Sequence, residues 1–162
     1  MEITELLFVY AMVFVLSAIP FIEALFLTPI AILGGLSFWP VLILAIAGNL
    51  LTVYLVIIFI DYIKAWRNKR GKENNKRSSR AKNLWSKYGL PGLALLGPFL
   101  VGSHLTAFLS LVFGGTKKRV FYWMTISIAG WSLVLGILAV FGIDWFNFDN
   151  PFIEDFFNRN TP

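Results

Sequence analysis

Between Glu23 and Asp61 the chain runs for 37 residues without a charged side chain. Three further uncharged gaps are nearly as constraining: 17 residues from Glu5 to Glu23, 29 from Lys87 to Lys117 and 24 from Arg119 to Asp144. A helix needs ~20 apolar residues to cross ~30 Å of hydrocarbon. A chain of 162 residues, 57% hydrophobic and 14% charged, could not hide that much apolar surface in a water-soluble core. The lack of cysteine removes disulfide scaffolds and thiolate chemistry, and the apolar content removes intrinsic disorder. The expected class is an all-α integral membrane protein of one domain.

The gaps of 17 and 24 residues match single crossings over residues 3–19 and 120–143. The 37-residue gap is too long for one crossing and too short for two with a loop, and Pro29, Gly34-Gly35 and Pro40 interrupt it. Proline removes a backbone donor and glycine permits sharp reversal. The gap therefore parses as a short excursion over residues 20–36, then a full crossing over 39–60. The 29-residue gap, with Pro91-Gly92, Pro98, Gly102 and Gly114-Gly115, parses as a second excursion over residues 89–113. Non-helical backbone survives at membrane depth only where protein or a wet cavity satisfies it. Three full transmembrane helices plus two opposed re-entrant hairpins are expected.

The net charge of +5 does not describe a nucleic-acid-binding surface, because its distribution is wrong for one. Ten of the fourteen Lys and Arg lie between Lys64 and Lys87, three more are Lys117, Lys118 and Arg119, and only Arg159 stands elsewhere. Clustered base beside apolar runs marks cytoplasmic loops. The expected order is an N-terminal helix (1–19), a first half-repeat (20–60), a basic cytoplasmic loop (61–88), a second half-repeat (89–143) and an acidic, aromatic outer tail (144–162). This makes a multi-pass protein of the cytoplasmic (inner) membrane, with its N-terminus in the cytoplasm and its C-terminus outside. Glu2 and Glu5 stand where a secretory signal would be basic, so the first stretch reads as a retained span. The tail reads as a segment resting on the outer headgroups, or as a lid. The basic loop can also attract anionic membrane lipids, at about 1 kcal/mol per base near the surface.

The two excursions repeat one another. Pro20-Phe-Ile-Glu-Ala-Leu-Phe-Leu-Thr28 is matched by Pro98-Phe-Leu-Val-Gly-Ser-His-Leu-Thr106, and Gly-Gly follows in each. Beyond them, Phe38-Trp39 precedes Ile46-Ala47-Gly48, and Tyr122-Trp123 precedes Ile128-Ala129-Gly130. In the charge-derived topology the halves are upside down to each other. Inverted repeats with broken helices at the midplane are a recurrent transporter design. This alignment puts His104 opposite Phe26.

Few residues can carry chemistry. Glu23 is the one acidic residue deep in an apolar stretch, and such residues usually face a cavity and serve ion or proton pathways. Its plainer role is to cap a hairpin helix at the outer interface. His104 is the one histidine, a residue type that titrates near neutrality; it is a proton-relay partner or anion contact for Glu23, or a satisfied structural group. Asn49, inside a span, bonds across helices or completes the polar site. Thr28, Ser103 and Thr106 are expected to bond loose hairpin backbone, and Pro20, Pro29, Pro98 and Gly102 to shape it. No phosphate-cradling loop, zinc motif or nucleophile elbow is present, so neither an enzyme, a cofactor nor a metal site is expected.

Pro20-Phe-Ile-Glu23, with Pro29 six residues after the glutamate and Ile46-Ala-Gly48-Asn49-Leu-Leu in the next span, resembles the small multi-drug export protein family. Lys87-Tyr88-Gly89, Pro98-Phe-Leu-Val-Gly102-Ser-His104, Gly114-Gly-Thr-Lys-Lys-Arg119 and Ala129-Gly130-Trp131 are similar to the broader DedA (VTT-domain) superfamily. The resemblance covers residues 15–142. It implies two opposed re-entrant hairpins and proton-dependent transport, of polyprenyl-phosphate lipids in the superfamily and of drugs by the export family's name. The chain departs from the pattern at Leu25 and His104, where relatives often carry arginine. Phosphate binding would then rest on a protonated His104.

The expected function is a proton-coupled transporter moving a small amphipathic molecule or anionic lipid. Glu23 would carry the proton, His104 would be its partner, and Asn49 would line the site. A homodimer is expected from the small size and from the spacing Ser132-x-x-x-Gly136. A scaffold that uses its basic loop is the alternative from another class.

Overall fold

The computed structural model describes residues 3–60, 62 and 76–146. Among them there are six helices and no strand. They are α1 (Ile3–Ser17), α2 (Ala24–Leu33), α3 (Phe38–Ile58), α4 (Lys76–Leu100), α5 (Ser103–Val112) and α6 (Lys117–Phe146). Most of the basic loop, and the tail beyond residue 146, lie outside the described residues.

Polarity is arranged inside out. Ser17, Glu23, Thr28, Asn49, Ser103, Thr106, Ser110, Ser127 and Ser132 are all buried. Ile3, Leu7, Phe8, Ile30, Trp39, Ile43, Ile58 and Phe141 are 60–77% exposed. Water would penalise so large an exposed apolar surface, whereas lipid tails do not. Among the described residues, only α3 and the Lys117–Gly142 part of α6 are long and apolar enough to cross a membrane. The first stretch was expected to be a third full span, but α1 has 15 residues and a length of about 22 Å.

Side-chain contacts fix the helix directions. Tyr10 Oη accepts the Ser37 N–H at 3.2 Å. Farther along both helices, Gly48 is pressed against Phe14 and Ser17, where a Cβ would stand 2.2 Å from the Phe14 carbonyl oxygen. Thus α1 and α3 advance in the same direction. In contrast, α6 runs against α3: Lys117 Nζ donates to the Ile58 carbonyl, Tyr54 stacks on Phe121 with centroids 4.0 Å apart, and Gly136 lies beside Phe38.

The chain therefore makes its first reversal between Ser17 and Glu23, and α1 and α2 are the two arms of one hairpin. This differs from the expected division into a span over 3–19 and a separate excursion over 20–36. A second hairpin comes from the end of α4 and α5. Gly89 breaks α4 with φ 63° and ψ −158°, a backbone conformation open to glycine. Trp85, before the break, packs on Phe113 after α5, with centroids 5.8 Å apart. The hairpins enter from opposite ends of the α3–α6 pair. Pro29 and Pro98 sit within helices rather than breaking them.

The two halves correspond at a constant shift of 79 residues. Ten-residue helices follow Glu23 and Gly102, positive-φ glycines stand at Gly35 and Gly114, and long helices start at Phe38 and Lys117. The Pro-Phe and Leu-Thr matches imply a shift of 78. That alignment is one residue out of register here, because short apolar matches do not see the cap positions. His104 corresponds to Leu25, not to Phe26.

Candidate functional site

The two hairpin tips meet, and the residues of the site come from that meeting. Glu23 is the N-cap residue of α2 but makes no side-chain bond to its own helix. Its Oε1 instead accepts the Ser103 N–H, the first amide of α5, at 2.6 Å. A helix N-terminus carries about half a positive charge, so the carboxyl of one hairpin caps the other. Gly102, at φ 95°, permits this approach; a Cβ there would lie 3.0 Å from Glu23 Oε1. Glu23 is 2% exposed, and its Oε2 has no hydrogen-bond partner.

His104 lies next to this contact. Its Nδ1 is 3.6 Å from Glu23 Oε1 and 3.3 Å from Ser103 Oγ. Its Nε2 is 2.7 Å from Thr52 Oγ1. The Ser103 hydroxyl donates to Asn49 Oδ1 at 3.2 Å, and the Thr52 hydroxyl donates to the Asn49 carbonyl at 3.1 Å. The site thus joins α2, α3 and α5.

Counting protons shows what this set can do. A hydroxyl has one proton to donate, and a neutral imidazole has one N–H. While Ser103 and Thr52 both donate to Asn49, the ring must donate through both nitrogens. All the contacts coexist on an imidazolium beside a Glu23 carboxylate. A neutral ring turns one hydroxyl toward itself and releases either the Asn49 side chain or its carbonyl.

The structure brings Glu23, His104, Asn49 and Ser103 together. Thr106 supports the tip as expected, donating to the Gly102 carbonyl at 2.7 Å, and its side chain fills the space over Gly97. Pro20 stands in the turn between α1 and α2. Thr28 does not bond hairpin backbone, as had been expected: its Oγ1 is buried without a partner, packed near Gly136 of α6. Gly136 and Ser132, read as a pairing stripe between copies, are spent within the chain, with Ser132 fully buried and Gly136 against Thr28, Ile32 and Phe38. Thr52 was missed in the sequence. Its signal was its spacing, three residues after Asn49 on one helix face.

Beside the tips lies a cleft of about 180 Å³, lined by Phe21, Glu23, Phe26 and the residues from Pro98 to Gly102. Phe26 and Phe99 meet edge to face at 6.5 Å, and Phe99 meets Trp131 in the same way at 4.7 Å.

A family model described as "Putative small multi-drug export protein" matches residues 23–134. The matched stretch starts at Glu23 and includes Asn49, Thr52, Ser103 and His104. Comparison with curated proteins and with solved structures gave no match.

Proposed function

The chain belongs to the small multi-drug export protein family, and on that premise we propose that it is a proton-coupled membrane transporter whose Glu23–His104 pair carries the proton. The observation that carries this reading is the contact of the hairpin tips through an acid and an imidazole. A buried carboxylate without a partner is costly, so the tips separate readily only when the pair changes its protonation. Each protonation state favours a different set of bonds to Asn49, and this links the proton to the packing of α5 on α3.

The membrane arrangement follows from helix lengths and charge. Helix α3 has 21 residues, about 32 Å and enough for the hydrocarbon layer. Helices α2 and α5 have 10 residues each, about 15 Å and half that depth. We read the hairpins as re-entrant from opposite faces, with their tips near the midplane. With the basic cluster after α3 in the cytoplasm, α3 runs inward. Helix α1 is parallel to α3, so the N-terminus is assigned to the outer face, opposite to the sequence expectation, and the C-terminal tail stays outside. Rocking of one half against the other would expose the pair to each side in turn.

The substrate is a small amphipathic molecule entering beside Phe26 and Phe99. The test is flux of protons and substrate in proteoliposomes across a pH gradient. Glu23→Gln and His104→Gln should each abolish the gradient dependence. Full gradient-driven flux in Glu23→Gln would refute the mechanism.

A further inference from the structure

We propose that the cleft at the hairpin tips binds a lipophilic organic cation, a quaternary or protonated amine with an apolar arm, in exchange for the proton of the Glu23–His104 pair. This rests on the transport reading above and names its substrate class. The wall is aromatic: Phe21, Phe26 and Phe99 line the cleft, and ring faces attract cations. Glu23 is the one ionisable residue in the lining. Its Oε2 is buried and without a partner, which a cation would satisfy and a neutral ligand would not. An anion would face the carboxylate directly. No Lys or Arg lies in residues 24–60 or 88–116, so the nearest cationic group is His104, already held against Glu23.

Phe21 adds a second, independent sign. It is the one non-glycine residue with positive φ among the described residues, at 83°. That conformation costs on the order of 1 kcal/mol or more in a bulky residue and tends to persist where function holds it. Phe21 is among the residues that line the cleft.

Charge balances in the exchange. Carboxylate plus imidazolium is neutral; a cation at Glu23 Oε2 with loss of one ring proton is neutral again. The proton leaves through Nε2, which meets the Thr52 hydroxyl. The other titratable groups on the surrounding helices are placed or engaged elsewhere. Tyr10 bonds Ser37, Tyr54 bonds Thr125 and Lys117 reaches Ile58. Glu5 stands in the first turn of α1 and Lys118, Arg119 and Tyr122 at the start of α6, while Lys87 and Tyr88 precede the Gly89 break.

The experiment compares three probes of one shape on the full chain in lipid nanodiscs: benzyltrimethylammonium, its uncharged isostere neopentylbenzene, and benzylphosphonate. Calorimetry should show the cation binding at least about tenfold tighter than either, a difference of about 1.4 kcal/mol. A pH dye in weak buffer should report one proton released per cation bound. Glu23→Gln should remove the preference. Phe26→Leu, at a half-exposed position, should weaken the cation more than it weakens neopentylbenzene. Equal affinity for the neutral probe, tighter binding of the phosphonate, or binding without proton release would each overturn the assignment. Glu23-dependent proton flux without a cation preference would remove this inference and leave the transport reading standing; loss of that dependence would remove both.

Discussion

Glu23 and Ser103 lie 80 positions apart in the chain, yet the carboxyl oxygen of one accepts the backbone N–H of the other at 2.6 Å. The residue that starts the helix of one hairpin thereby accepts the first amide of the other. A hydrogen bond to a charged group contributes about 1.5–3 kcal/mol, enough to make the tip contact a defined state and too little to make it permanent.

Gly102 should tolerate no side chain. Its φ of 95° and ψ of 151° fall in a region that is nearly glycine-only and costs ~1–3 kcal/mol for other residues, and a Cβ would crowd Glu23 Oε1. Gly102→Ala is expected to lower the unfolding midpoint in detergent and also to abolish gradient-driven flux. Gly114→Ala, at φ 107° with nothing within 4 Å, is expected to lose stability and keep coupling. Equal losses of coupling in both would argue against a specific role for the tip.

Thr52 should act through its hydroxyl. Thr52→Val removes the partner of His104 Nε2, while Thr52→Ser keeps it. Nitrogen chemical shifts of the His104 ring report its tautomer and its hydrogen bonds, and they should be alike in the wild type and the serine variant. In the valine variant the Nε2 shift should change, because its hydroxyl partner is gone, and flux should fall by about tenfold, the rate equivalent of 1.4 kcal/mol. Identical ring spectra for valine and wild type would remove the hydroxyl from the proton path.

The cysteine-free chain gives a clean test of the hairpin. Single cysteines at Ile3, Leu36 and Thr116 are to be labelled with an impermeant maleimide in oriented vesicles. Ile3 and Leu36 should react from the outside and Thr116 from the inside. Labelling of Ile3 and Leu36 from opposite sides would restore α1 as a full crossing.

Gly48 and Gly130 occupy similar Ile-Ala-Gly triplets but should respond oppositely. A Cβ on Gly48 would meet the Phe14 carbonyl at 2.2 Å, whereas one on Gly130 meets nothing within 4 Å. Gly48→Ala is expected to push α1 off α3 and to cost ~1–3 kcal/mol through overpacking. Gly130→Ala should gain ~0.5–1 kcal/mol from helix propensity. Thermal unfolding followed by circular dichroism in detergent would separate them.

The sequence by itself determined the helical class and the positions of the two long spans, because uncharged runs of fixed length leave few options in lipid. It also singled out Glu23, His104 and Asn49, since a polar group in an apolar run is expensive and therefore conspicuous. Tertiary structure decided the rest. Only packing showed that α1 runs parallel to α3 and folds back as a hairpin arm, because hydropathy has no sign along the helix axis. Only the cap positions set the repeat register at 79 rather than 78, because matching apolar dipeptides do not report where a helix begins. Thr52, Ser103 and the aromatic cleft became a site when two hairpins separated by 80 residues touched, and a contact of that kind depends on where chains meet in space, which no local pattern encodes.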